Sequence, residues 1–532
     1  MQAVWLAAKL VVELLILGAS LWAFARRMGS RPLVLLTLGS FSVRWVVGEL
    51  LYLISYFQLP LLQDLQFDRG FWRFGLDAWQ YQRHAVGAMA VLTGHVAAPP
   101  YLPGIGWLIG ALYLITGPNP QFALPILAFA AAAGVPLAWL IATKIGQSER
   151  GALLSAGLLA FWPSSMAWSG QLMQDAVRWL GLLLVFAGVA TAIRSPLTQE
   201  RQNKWGFAAV TLGAVLTAWL GGKYATLPLV FVLLCGLALQ LALRRHNLRR
   251  RALDAVLLLA CVIAGSFPAY GYVTGEINRL VIGLDRVAGA RVEGKPAPGD
   301  STTPATAGPA GGAPAAKGKP APGDSTTPAT AGPAGGAPAA PALPSSQFPE
   351  WNLLPVDPHD ACAPIAPLLG ARLGFTNTPG PSTIDASVTF RSCWDVLAYA
   401  PRALELSLIT PLPFVWSPTG GSVGEAARFA VLDGLLLLVL MPGFIVAVPR
   451  ALGGPRAGSA ALVLHVVLMA FIFGFVSDNF GTLFRLRLQA VLPMAVLAVG
   501  GWEMIVAWTR SRLHGHRSLN LLPPAGRPVS EL

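Results

Sequence analysis

Long apolar runs separated by short basic breaks dominate this chain. A helix needs about 20 apolar residues to cross the hydrocarbon of a bilayer. On that rule the sequence predicts spans near 3–25, 32–57, 119–143, 151–167, 172–193, 206–221, 224–243, 252–274, 425–448, 459–477 and 486–508. The run at 100–116 is apolar but short, and it opens with Pro103 and Gly104. It predicts an interfacial or half-buried helix, with Trp107 and Tyr113 at the headgroup level. The fold class expected is an all-α polytopic membrane protein of about eleven transmembrane helices, with outer juxtamembrane helices and one large extracytoplasmic segment.

Charge turns this pattern into a topology. Of 532 residues, 54% are hydrophobic and 12% charged, about half the charged share of a soluble domain. The formal net charge of +13 first suggests an acidic partner, but its distribution argues against nucleic acid. The basic residues gather at Arg26, Arg27 and Arg31, at Lys144 and Arg150, at Arg194, Arg201 and Lys204, at Arg244 to Arg251, at Arg450 and Arg456, and at Arg510, Arg512 and Arg517. Short basic loops at alternate span junctions face the cytoplasm. One orientation then satisfies every cluster, with the N-terminus outside, loop 58–118 outside and the C-terminus inside. Counting 100–116 as a full span would break that agreement. Residues 3–25 lack a small-residue cleavage site and read as a retained span. Cys235 and Cys261 fall in apolar spans, whereas Cys362 and Cys393 share an outer segment where an oxidising compartment would let them pair.

Four regions follow. Residues 1–274 form an N-terminal membrane module with the outer loop 58–118. Residues 275–424 are extracytoplasmic, and within them 294–316 recurs identically at 318–340. That Pro-, Ala-, Gly- and Thr-rich tandem repeat has too little apolar bulk to offset the entropy of ordering. From 341 to 424 Trp, Phe and Leu return, as for a small cap. Residues 425–509 form a second membrane module and 510–532 a cytoplasmic tail.

The chemistry concentrates in Phe74-Gly-Leu-Asp77-Ala-Trp-Gln-Tyr81-Gln-Arg-His-Ala85, followed by Pro99-Pro-Tyr-Leu-Pro-Gly104. A carboxylate at a membrane boundary is a functional candidate by default. On a helix Asp77 and Tyr81 share a face, and Asp77 either caps that helix or serves a reaction. Asp175 opens a span with Arg178 one turn later, so it reads as a helix-terminal residue or a second acid of the same site. Arg485 and Arg487 lie on the outer side, against the positive-inside bias. They serve phosphate, which a guanidinium grips as a fork, or they snorkel to headgroups. On a helix the two diverge. Lys223 is a further outer cation, for lipid phosphate or for anchoring. Arg44 and Glu49 sit inside the second span and read as links between helices or as the lining of a headgroup path. No phosphate-cradling loop, dinucleotide fingerprint or zinc cysteine pattern occurs.

Loop 74–85 with Pro99–Gly104 and Gly117-Pro-Asn resembles the first outer loop of the GT-C superfamily of polytopic glycosyltransferases, in its protein O-mannosyltransferase and lipid A aminoarabinose transferase lineage. The resemblance extends to Trp162-Pro-Ser, Gln171-Leu-Met-Gln-Asp175, Pro411-Leu-Pro-Phe and Gly481-Thr-Leu-Phe-Arg485-Leu-Arg487. It implies an enzyme of the bacterial inner membrane with its site facing the periplasm or exterior. The donor would be a polyprenyl-phosphate sugar, and the acceptor a glycan, lipid or protein. Asp77 would be the general base, with Tyr81, Asp175, Lys223, Arg485 and Arg487 around the substrate. The family also uses a divalent cation in places; here Asp77-Ala replaces an acidic pair, and one carboxylate seldom holds a divalent ion. Two other readings stay open: a polymerase or ligase acting on polyprenyl-diphosphate oligosaccharides, and a lipid or glycolipid transporter.

Overall fold

The computed structural model describes residues 2–96, 104–192, 200–221, 372, 384, 385, 388, 390, 393–410, 422–453, 457–477 and 480–513. All of these belong to one packed unit formed by Met1–Thr274 and Leu353–Leu532. The spans expected at 224–243 and 252–274, Lys223, Cys235, Cys261, Cys362, the tandem repeat, most of 341–424 and the tail from 514 lie outside the described residues.

The described chain is mostly helical. Helices α1 (Gln2–Met28) and α2 (Arg31–Tyr56) are joined by a short break with Pro32 at the start of α2. After α2 comes a two-stranded antiparallel hairpin, β1 (Gln66–Asp68) and β2 (Phe71–Trp72). This departs from the all-helical expectation. Gly70 turns the hairpin at φ +90°, and the Tyr52 ring lies where its side chain would be. Only glycine takes that conformation there without strain. The Ser55 hydroxyl of α2 lies 2.7 Å from the carbonyls of both Asp68 and Phe71 and shares its one proton between them, which fastens the hairpin to the end of α2.

Next come α3 (Leu76–Leu92) and α4 (Gly104–Thr116). At 13 residues and about 1.5 Å per residue, α4 is roughly 20 Å long, too short to cross a bilayer core. It packs on α3 through Gly110, where a side chain's Cβ would fall only 2.7 Å from the Ala88 methyl and 2.8 Å from the Ala85 carbonyl. Tyr113, expected from the sequence at the headgroup level, faces the protein interior. It is buried against α3, where its hydroxyl donates to Gln82 Oε1.

Helix α5 (Ala123–Ile145) lies at the centre of the core, and its many alanines let α2, α6 (Glu149–Ala160) and α8 (Asp175–Ala192) approach closely. The span expected over 151–167 is broken. Pro163 forces Trp162 into an extended conformation, so α6 ends at Ala160 and a short α7 (Pro163–Ser169) restarts the helix. Arg44 of α2 fills the break. Its guanidinium, 1% exposed, donates to Ser40, Ser169 and the carbonyls of Leu159, Ala160 and Ser165. These bonds satisfy the carbonyls left over at the end of α6, and they place Arg44 as a link between helices. Glu49 instead accepts from Gln121 at 3.3 Å.

The described part continues with α9 (Glu200–Gly221), α10 (Cys393–Leu408), α11 (Ser422–Gly453), α12 (Ala457–Val476), α13 (Phe480–Leu486) and α14 (Leu488–Leu513). Six helical stretches among the described residues are long and apolar enough to cross a membrane: Ala7–Met28, Arg31–Tyr56, Pro120–Ile145, Ala430–Gly453, Gly458–Val476 and Leu488–Arg512.

Candidate active site

Three segments meet where α2 ends and α5, α8 and α14 begin: the first turn of α3, the lead into α8, and α13. Helix α3 starts after Gly75, whose backbone faces Gln171 Oε1 so closely that no side chain fits between them. The first turn of α3 carries Asp77. Tyr81 follows one turn later on the same face and is buried together with Ala85 and Ala88. Residues 171–174 lead into α8, with Leu172 and Met173 packed in the core, and they present Asp175 at the first helical position.

The short α13 brings in Arg485. Its Nη1 donates to Asp77 Oδ2, across a sequence separation of 408 residues. Its Nε faces Asp175 Oδ2 at 3.5 Å. Asp175 Oδ1 in turn faces Arg178 Nη1 at 3.5 Å, within the first turn of α8. Carboxylates and guanidinium groups thus alternate along Asp77, Arg485, Asp175 and Arg178, and their charges sum to zero. The members differ in exposure: the side chain of Asp77 is 37% exposed and that of Arg485 18%, whereas that of Asp175 is 2% exposed. Asp77 is the rim of the cluster and Asp175 its floor.

Electrostatics follow from this arrangement. Burial pushes the Tyr81 phenol up, and the neighbouring Asp77 and Asp175 carboxylates push it further. Tyr81 therefore keeps its proton at neutral pH and is a hydrogen-bond donor. Burial works against the Arg485 charge, but Asp175 and Asp77 outweigh it and raise its pKa above the ordinary arginine value.

Of the residues expected at the site, Asp77, Tyr81, Asp175 and Arg485 are brought together. Arg487 is not among them. It sits in the turn between α13 and α14, where it is 1% exposed, donates to the Thr410 carbonyl and lies 3.8 Å over the Phe484 ring. Its Nη2 is 3.6 Å from Asp433 Oδ2. Asp433, on α11, accepts from Trp162 Nε1 and from the Ser164 amide, each at 3.1 Å, and from the Ser164 hydroxyl. Sequence reasoning passed over Asp433, although a lone carboxylate in the apolar run Ala430–Met441 is a signal in itself. It likewise passed over a clasp in which Asp385 accepts from Tyr399 (2.9 Å) and Arg402 (3.0 Å).

Among the described residues no group of three or more His, Cys, Asp and Glu side chains is placed to hold a metal ion. A hard divalent cation takes six or more oxygen ligands. Here a guanidinium bridges Asp77 and Asp175, so the donor set does not suit one.

No protein-family model matches the chain, and no curated protein matches it. Among solved structures it is similar to the archaeal oligosaccharyltransferase AglB from Archaeoglobus fulgidus, determined with an inhibitory peptide and a dolichol-phosphate. The TM-score is 0.42 at 13% identity, over 93% of this chain and 52% of that one. The chain therefore spans about half the length of that enzyme.

Proposed function

We propose that this protein is an integral membrane glycosyltransferase that moves a sugar from a polyprenyl-phosphate donor to an acceptor on the extracytoplasmic face. The observation that carries this reading is the convergence of Asp77, Tyr81, Asp175 and Arg485 from three separate helices onto one end of the bundle. That end is the outer one in the orientation derived from the basic loops. A half-exposed carboxylate beside a guanidinium is what sugar transfer from a lipid phosphate requires.

In the reaction, the acceptor hydroxyl gives its proton to the Asp77 carboxylate. Its oxygen attacks the anomeric carbon from the face opposite the phosphate, with inversion. The anomeric carbon–oxygen bond to phosphate breaks, and its electron pair leaves on the polyprenyl phosphate. Arg485 stabilises the charge that develops there, because its planar fork stays protonated and matches two phosphate oxygens. Asp175 and Arg178 hold Arg485 in place from below, and Tyr81 donates a hydrogen bond to the bound substrate.

The test is turnover by the purified protein on a panel of polyprenyl-phosphate and polyprenyl-diphosphate sugars, with carrier release followed by mass spectrometry. Donor-dependent release that falls at least about 100-fold in Asp77→Asn, the usual scale of a lost general base, supports the assignment. Release retained in that variant removes Asp77 from its role. No release from any donor removes the glycosyltransferase reading.

A further inference from the structure

The arginine assigned to the leaving phosphate is already engaged by the carboxylate assigned as the base. We propose that the donor phosphate and Asp77 compete for Arg485, so that seating the lipid donor releases the Asp77 carboxylate and donor binding must precede proton abstraction. The proposal rests on the function proposed above and adds to it an order of events and a resting state in which the base is masked.

Charge and exposure decide which contact gives way. With two carboxylates and two guanidinium groups the cluster is neutral, so an incoming phosphate adds uncompensated negative charge unless a carboxylate moves off. Asp175 cannot be the one to move. Its side chain is 2% exposed and lies between Arg485 and Arg178, and a buried carboxylate that leaves its partners is strongly disfavoured. Asp77 stands at the rim with 37% of its side chain exposed. A carboxylate there is readily rehydrated, and ion pairs in such positions are weak. The Arg485 edge turned to Asp77 is Nη1, whereas Asp175 faces Nε. A phosphate can therefore take the Nη edge while Asp175 keeps its grip, and a phosphate fork is the stronger ligand for a guanidinium. Asp77 then rotates away on the first turn of α3. It becomes free to accept the proton of an acceptor hydroxyl.

This exchange makes a prediction opposite in sign to that of a structural ion pair. Neutralising Asp77 removes the competitor, so the Asp77→Asn variant should bind the spent carrier, polyprenyl phosphate, more tightly while losing transfer. A rim ion pair of ordinary strength corresponds to roughly two- to fivefold in affinity. The experiment titrates full-length protein in nanodiscs with polyprenyl monophosphate, with inorganic phosphate as a parallel arm to separate a lipid headgroup from free phosphate. Wild type, Asp77→Asn, Asp77→Ser and Arg485→Gln are compared, each checked for a wild-type thermal unfolding profile. Tighter binding of the lipid by both Asp77 variants, with weaker binding by Arg485→Gln, supports the exchange. Unchanged or weaker binding by the Asp77 variants, with Arg485→Gln still weakened, overturns the exchange but leaves Arg485 as the phosphate ligand. Equal binding by wild type and Arg485→Gln overturns both. Inorganic phosphate competing as well as the lipid would move the site from a lipid donor to a soluble phosphate and overturn the donor assignment.

Discussion

Replacing Asp433 by alanine tests the buried network that holds α13, and with it Arg485, against the rest of the bundle. Asp433 is fully buried on α11. Its carboxylate receives the Trp162 indole N–H, the Ser164 amide and the Ser164 hydroxyl, and it faces Arg487 Nη2 at 3.6 Å. The alanine leaves the Arg487 guanidinium, itself 1% exposed, without its counter-charge. Breaking one side of a buried pair costs about 3–5 kcal/mol. Each neutral donor left without a partner adds about 1–3 kcal/mol where no relaxation helps. These costs overlap, since Arg487 keeps the Thr410 carbonyl and the Phe484 ring, so about 4 kcal/mol is expected in all. The measurement is reversible unfolding in mixed micelles with increasing SDS, read by tryptophan fluorescence. The companion is the double variant Asp433→Leu with Arg487→Met, in which no buried charge remains; it should cost less than the sum of the two single changes. A loss below about 1 kcal/mol for Asp433→Ala, or a double variant that costs the full sum, would refute the reasoning.

Two further outcomes are expected from the structure. Gly75→Ala places a methyl group against the terminal amide of Gln171. That amide is the end of a flexible side chain and can swing aside, so carrier release should stay near wild type and stability should drop by less than about 1 kcal/mol; a large loss of release would show that the first turn of α3 had moved. Asp385 would be raised by burial alone, but hydrogen bonds from Arg402 and Tyr399 and the charges of Arg402 and Arg372 hold it below its ordinary value of 3.8. A depressed folded value means that its contribution is complete above the ordinary value and is lost as pH falls through the folded one. The difference in unfolding midpoint between wild type and Asp385→Asn should therefore be present at neutral pH and close in strong acid; a difference that persists there would show that the clasp acts through packing.

The parts of this fold visible in the sequence are those written in local pattern. Arg31–Tyr56, Ala123–Ile145, Ala457–Val476 and Leu488–Leu513 all appear as apolar runs, because a helix long enough to cross a membrane needs little beyond its own composition. The break at Pro163 was readable in principle, since proline biases the residue before it away from helix, but the continuous apolar run concealed it. The hairpin at 66–72 was not readable: its strands are too short to show alternation, and it exists because Ser55 fastens two of its carbonyls to α2.

The site divides along the same line. Asp77 and Tyr81 share a face because they are four residues apart on one helix, and spacing alone reports that. The union of Asp77 with Arg485 spans 408 residues, and no local pattern encodes it. Arg485 and Arg487 make the point sharply. The sequence gives them equal chemistry and the same anomalous flank of an apolar run. What separates them is that Arg485 lies in the last turn of α13 and Arg487 in the turn that joins α13 to α14, so the two meet different neighbours. Arg485 meets the rim carboxylate of α3, where a guanidinium stays within reach of solvent; Arg487 meets Asp433 between α7 and α11, where it is sealed. Position along the chain thus places a charge near the boundary, and packing decides whether that charge can exchange its partner. Arg485 can do so because its outer partner is exposed. Arg487 cannot, because every neighbour that satisfies it is itself buried.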